Sequence, residues 1–468
     1  MKFNDMMGGR GILLLVLIAL FSVIGQYLIP QLQNLLSGHV HYFSLRTHEM
    51  ASVGFWRYSK DVGYLLVAIY SSFLLLKSSS WVRKRWMLFV YAEVAFMALG
   101  TLGHISNPGL LYWVAGIRWF ITLHCVVSLA MLILLLEEEK RLIPTKAIDV
   151  AVITALVLLF VTIVLQALVL NWPMLSGRYR LYSLAPNAGA LGYWLVGLGI
   201  YFFLSRSGGI TKLSLLLIAL LVVNLSGSRG PEIVLMVLIS FELMIYGLRR
   251  KNDSAKKIGI AIWFLSLLIQ LPLFSQIAAY TAHRGGLLQT QGMATLWDAY
   301  DADSSAEREV VIAEDEKVVY ARTRLENIRF FVLAMQDQPL MTTMLGRGLG
   351  YGTNTAHLMQ PKKTRLHTWV QPIDSAHAAF IAQFGLLGYA AMGFIVFNLI
   401  KRVNKRLGRI EDKARFYVLI GVVFLLTLVQ NVFENQLLVA LCGLGFVFFI
   451  KAVAVKNTAV DEKLVVPN

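Results

Sequence analysis

The sequence predicts an all-α polytopic membrane protein of about twelve transmembrane helices, with one large extracytoplasmic loop containing amphipathic helices. Three observations lead there. Of the 468 residues, 57% are hydrophobic and 15% charged, with a mean hydropathy of +0.64, a balance that no single soluble core can hide. Apolar runs long enough to cross roughly 30 Å of hydrocarbon as helix recur along the chain. One long segment, 277–377, breaks that rhythm and is too polar to sit in lipid. A loop of such length between two spans is uncommon unless it has a function.

In order, the apolar runs cover 11–29, 61–76, 87–105, 112–136, 147–170, 187–205, 212–226, 231–248, 258–276, 378–400, 416–432 and 437–455. The first has no small-residue cleavage site after it and reads as a span that also targets the chain. Basic residues orient the rest. Arg83, Lys84 and Arg85, then Lys140, Arg141 and Lys146, then Arg249 to Lys257, then Lys401 to Arg415 fall in alternate connections, which the positive-inside rule assigns to the cytoplasm with both termini. The chain then divides into helices 1–9 (1–276), an outward loop (277–377), helices 10–12 (378–455) and a cytoplasmic tail (456–468). A net charge of +16 is spent on this orientation, so nucleic acid is not an expected partner. Cys125 and Cys442 lie within spans and form neither a disulfide framework nor a zinc site. Internal repeats are not visible, and the acidic patch from Asp298 to Glu316 reads as a solvated face of the loop.

The stretches that could carry chemistry fall on the outward side. SGSRGPE (226–232) joins the seventh and eighth spans. Pro231 and Glu232 suit a helix start, whereas Arg229 opposes the helix dipole there, so it either snorkels to lipid phosphate or binds an anionic substrate. On a helical wheel of 322–338, Leu325, Ile328, Val332 and Met335 share one face, with Arg322, Glu326 and Arg329 opposite. Arg324 falls at the edge of the apolar face, which fits a buried anion or a salt bridge to Glu326 or Asp337. Pro339 ends that helix, and the glycines of LGRGLGYG (345–352) fit a turn folding it back over the bundle. No strand precedes them, so a nucleotide loop is not indicated. Asp374 and Ser375 are both good caps for the tenth span. His377 lies one turn beyond Asp374, and the two form a possible general base at the membrane boundary. His283, His357 and His367 match no metal-site spacing, so neither metal nor cofactor is expected. Arg178 and Arg180 precede the sixth span, Arg284 lies in the loop, and Arg118 sits in the outer third of the fourth span, where it needs a partner. Together they make a ring of guanidiniums at one membrane face, and such planar charged forks suit pyrophosphate oxygens.

Four stretches, in order, resemble the O-antigen ligase and O-antigen polymerase (Wzy-type) superfamily: GRYRLYSLAPNAGA, SGSRG, RLENIRFFVLAMQDQPLMTTMLGRGLG and DSAHAAFIAQFGLLG. The resemblance spans roughly 178–388. It implies a GT-C-like membrane glycosyltransferase at the periplasmic face of a bacterial inner membrane. Such an enzyme passes a glycan from an undecaprenyl-pyrophosphate-linked donor to an acceptor hydroxyl without nucleotide sugar, cofactor or essential metal. By position, Arg229 and Arg324 would hold the pyrophosphate, with Arg322, Arg284, Arg178 and Arg180 beside them, and Asp374 or His377 would take the proton. Asp374-Ser375 stands where ligases carry His-Asn, so the chain looks more like a polymerase of lipid-linked repeat units. Ligation of polymer to lipid A core is the alternative. A lipid-linked sugar flippase is an alternative of another class, weakened by the lack of repeats. Whether a chain-length-regulating co-polymerase binds is left open by the sequence.

Overall fold

The computed structural model describes residues 9–36, 59–78, 81–103, 110–139, 145–169, 183–185, 188–205, 209–226, 228–248, 312–313, 316–317, 339–351, 375–429 and 435–464. Every apolar run among them is helical: α1 (Gly9–Leu36), α2 (Ser59–Lys77), α3 (Trp81–Gly103), α4 (Leu110–Glu138), α5 (Thr145–Val169), α6 (Ala188–Leu204), α7 (Gly209–Ser226), α8 (Arg229–Leu248), α10 (Ala376–Arg406), α11 (Ile410–Val429) and α12 (Gln436–Leu464). A short helix, α9 (Leu340–Leu345), precedes α10. The strand pairing among the described residues is one two-residue antiparallel contact, β1 (Ile312–Ala313) with β2 (Glu316–Lys317). The apolar run 258–276 lies outside the described residues.

Among the described residues, five helices are long and apolar enough to cross a membrane: Ser59–Lys77, Trp81–Gly103, Tyr112–Leu136, Thr145–Gln166 and Ala376–Lys405. Their outer faces present Ile69, Phe73, Leu88, Val150, Val157, Phe394 and Phe397 away from the protein, a surface suited to lipid. At the centre, α6 is buried from Leu191 to Ser205 and apolar on all sides, the mark of a helix enclosed by others. It packs on α7, α8 and α12. At Gly197 a Cβ would lie 3.1 Å from Leu438 Cα, so a glycine lets the α12 backbone come this close.

The bundle has two chemically different ends. At one end, Lys212 Nζ donates to the carbonyls of Phe203 and Ser205, which close α6. Arg415 Nη1 also donates to Phe203 O, and its Nη2 donates to Glu242 Oε1 at 2.9 Å. Cations at a helix C-terminus satisfy its orphan carbonyls and complement its dipole. Arg83 does the same for α2 through Leu76 O and Ser78 O. At the opposite end, Arg118 Nε donates to Asp61 Oδ1 at 2.7 Å, and Gln436 Nε2 donates to the same oxygen at 3.0 Å. The partner that the depth of Arg118 demands is therefore Asp61, from the first turn of α2. Ser183 is tied to α5 by exchanging two hydrogen bonds with Gln166, of 2.7 and 3.0 Å.

Candidate active site

The candidate site lies at the Asp61 end, where a broken helix receives a glycine loop. Helix α10 is not continuous: Gly385 has φ 66 and ψ −174 inside it. The consequence is visible in Tyr389, whose hydroxyl reaches His377 Nδ1 at 3.0 Å across a separation of 12 residues. Twelve residues of straight helix rise about 18 Å, more than a tyrosine and a histidine side chain together span. The two limbs are therefore sharply bent, and α10 corrects the expected tenth span. The limb 376–384 is about 13 Å long and too short to cross, whereas 386–406, about 31 Å, is long enough to cross by itself.

Breaking a helix frees carbonyls, and buried carbonyls need donors. The loop Gly346–Tyr351 supplies them. Arg347 N donates to Ala382 O at 2.7 Å, Gly348 N to Gln383 O at 3.2 Å, and Gly350 N to Gln383 Oε1 at 2.9 Å. On its other side Leu349 N donates to Gly100 O of α3 at 3.2 Å. The fit excludes side chains at two points. A Cβ on Gly385 would lie 2.1 Å from Met344 O, and one on Gly350 would lie 1.8 Å from Tyr112 O. Both glycines have positive φ as well. The glycine turn is thus a plug between α3, α4 and the notch of α10, with Leu349 fully buried. Around it pack Phe96, Phe380 and Phe384 on one side and Trp119, Tyr351 and Ala379 on the other.

Ser375 caps α10, accepting from Ala378 N at 3.4 Å, which settles the cap on the second of the two expected residues. His377 is held from both sides. Thr427 Oγ1 gives its single proton to Phe424 O at 2.8 Å, so at 2.9 Å it must accept from His377 Nε2. In the neutral ring, whose Nε2 carries the proton, Nδ1 accepts from the Tyr389 hydroxyl.

The chain matches no protein-family model and no curated protein.

Arg229 opens α8 directly after Ser228, a buried residue packed near Gly192 of α6; the Arg229 side chain is not among those described. Glu232, one turn on, is fully buried and accepts from Asn224 Nδ2 at 2.9 Å. Arg324, Arg322, Arg284, Arg178, Arg180 and Asp374 lie outside the described residues, as do the helix expected at 322–338 and His283, His357 and His367. Two residues at the site were not anticipated. Arg347, inside the glycine turn, donates from Nη1 to Tyr351 OH at 2.7 Å with its guanidinium 5.0 Å from the Tyr351 ring. Tyr389 was missed because an unbroken helical wheel keeps it away from His377. Pro339, expected to end the loop helix, stands immediately before α9. No group of three metal-ligating side chains occurs among the described residues.

Proposed function

We propose that this chain is a membrane glycosyltransferase that polymerises undecaprenyl-pyrophosphate-linked oligosaccharide repeat units into a surface polysaccharide at the periplasmic face of a bacterial inner membrane. The observation that carries the reading is the docking of Gly346–Tyr351 into the break of α10. It joins two of the four stretches on which the family resemblance rests, at the end of the bundle opposite its Arg415 and Lys212 clamp. A full complement of about twelve spans belongs to the same reading.

In the proposed reaction, a hydroxyl oxygen of one repeat unit attacks the anomeric carbon of the growing chain. A new C–O bond forms, the bond to the pyrophosphate oxygen breaks, and the bonding pair leaves with the pyrophosphate. The leaving group is already good, so orientation and charge stabilisation carry the catalysis. Arg229 and Arg324 bind the departing charge, with Arg322, Arg284, Arg178 and Arg180 around it, and Arg347 adds a guanidinium from the glycine loop. The hydroxyl proton passes to Asp374 or His377. The hydrogen bonds of His377 favour Asp374, because Nδ1 is already engaged by Tyr389 and Nε2 carries a proton. His377 then holds the bend of α10.

The test is a purified lipid-linked repeat unit supplied alone to purified protein. A ladder of products supports polymerisation. Product that appears only after lipid A core is added supports ligation, the second reading. No product with either acceptor overturns both. Arg229→Ala or Arg324→Ala each costs on the order of 3 kcal/mol of transition-state stabilisation, roughly a hundredfold in rate.

A further inference from the structure

Midway along α2, α3 and α4, and apart from the site at the bend of α10, three polar side chains face one another. His124 Nδ1 lies 2.5 Å from Glu93 Oε2, and His124 Nε2 lies 2.7 Å from Ser72 Oγ. Ser72 Oγ in turn donates to Ala68 O at 2.6 Å. A hydroxyl has one proton, and here the carbonyl takes it, so His124 Nε2 donates to Ser72. Between Nδ1 and Oε2 there must then be a second proton, because two bare lone pairs at that distance repel. On nitrogen it makes an ion pair, and on oxygen a neutral pair; the trio has no net charge either way.

Two alternatives fit less well. Ser72 is not built as an acyl-transfer nucleophile. It sits within α2, where backbone N–H groups are taken by carbonyls one turn back, so no oxyanion hole faces it, and its proton points at Ala68. A purely structural clasp is also a poor description. Glu93 is 6% exposed, and its Oε1 accepts no hydrogen bond, although a buried polar group serving only cohesion is normally satisfied. Hydroxyls and amides join helices in lipid without bringing in an ionisable carboxyl.

We propose that Glu93 and His124 form an intramembrane proton-binding site that holds one exchangeable proton. The ligand is the hydrogen ion itself. Other ionisable groups on the same helices are the Asp61–Arg118 pair, Lys60, Tyr64, Tyr70, Lys77, Arg83, Lys84, Arg85, Tyr91, Tyr112, Cys125, Glu137 and Glu138. The ion pair of His124 is with Glu93, and aromatic rings of Trp86 and Phe89 flank it.

The experiment counts protons bound by the purified full-length protein in nanodiscs as pH is stepped, with infrared difference spectra recorded in light and heavy water. The wild type is expected to bind one proton more per chain than Glu93→Gln, and to show a pH-dependent carboxyl band sensitive to deuterium that the variant lacks. Ser72→Ala keeps the extra proton, since Ser72 only accepts from the pair. Superimposable proton counts for wild type and Glu93→Gln overturn the proposal. Should that variant fail to fold, wild-type protein labelled at histidine nitrogen and glutamate carboxyl decides. Coupled pH-dependent changes at a buried imidazole and a buried carboxyl uphold the site, and their absence overturns it. The readout does not involve glycan transfer, so the outcome stands apart from the proposed enzymatic activity.

Discussion

Thr427 has a single proton to give and gives it to its own helix, which is why His377 must be the donor between them. Thr427→Val leaves that imidazole N–H half-buried without an acceptor, at a cost of about 1–3 kcal/mol. Thermal unfolding of the purified variant checks this, and an unchanged midpoint would contradict the assigned tautomer. At the other end of the bundle, Arg415 and Glu242 are both buried, with Arg415 Nη1 2.6 Å from Glu242 Oε2. Arg415→Met leaves the carboxylate with only the Lys212 ammonium, 3.9 Å away, so the loss is at most about 3–5 kcal/mol. Added salt leaves that loss unchanged, because a buried pair is little screened. Single residues were legible in the sequence where depth alone made a demand. Arg118 had to find a partner, but Asp61, 57 residues earlier, could not be named without knowing that α2 and α4 pack together.

At the scale of elements, the glycine loop and the break in α10 depend on each other. The loop amides satisfy the carbonyls that the break exposes, and the break makes the notch that the loop fills. Gly350→Ala drives a Cβ into Tyr112 O and demands positive φ of an L-residue, so at least about 1–3 kcal/mol of stability is lost. Gly393→Ala, with open space around it in the same helix α10, leaves the unfolding midpoint unchanged or slightly raised. Equal effects at the two positions would contradict the plug. Helix existence was readable because apolar runs of this length have few other outcomes. The break was not, since FIAQFGLLG reads as one continuous apolar helix and a lone glycine is tolerated in many spans. Only the packing of Gly385 against Met344 and Gly346 reveals what that glycine is for.

Across the whole molecule, the account requires the glycine plug and the basic clamp to lie on opposite sides of one bilayer. Leu340, exposed beside the plug, and Ile410, exposed at the start of α11, report on the two sides. In intact cells, a membrane-impermeant thiol reagent is expected to modify Leu340→Cys from outside and to spare Ile410→Cys until the membrane is opened. The two native cysteines are poorly placed to interfere, Cys125 being buried and Cys442 partly so. The reverse labelling pattern would invert the topology. The most direct measurement is the position of a bound lipid pyrophosphate, read from electron density of the protein in lipid with a non-hydrolysable repeat-unit analogue. The account predicts the diphosphate beside the bend of α10, touched by guanidiniums of both Arg229 and Arg324. Density at the Arg415 end, or those two arginines turned to different sides of the bilayer, would contradict it.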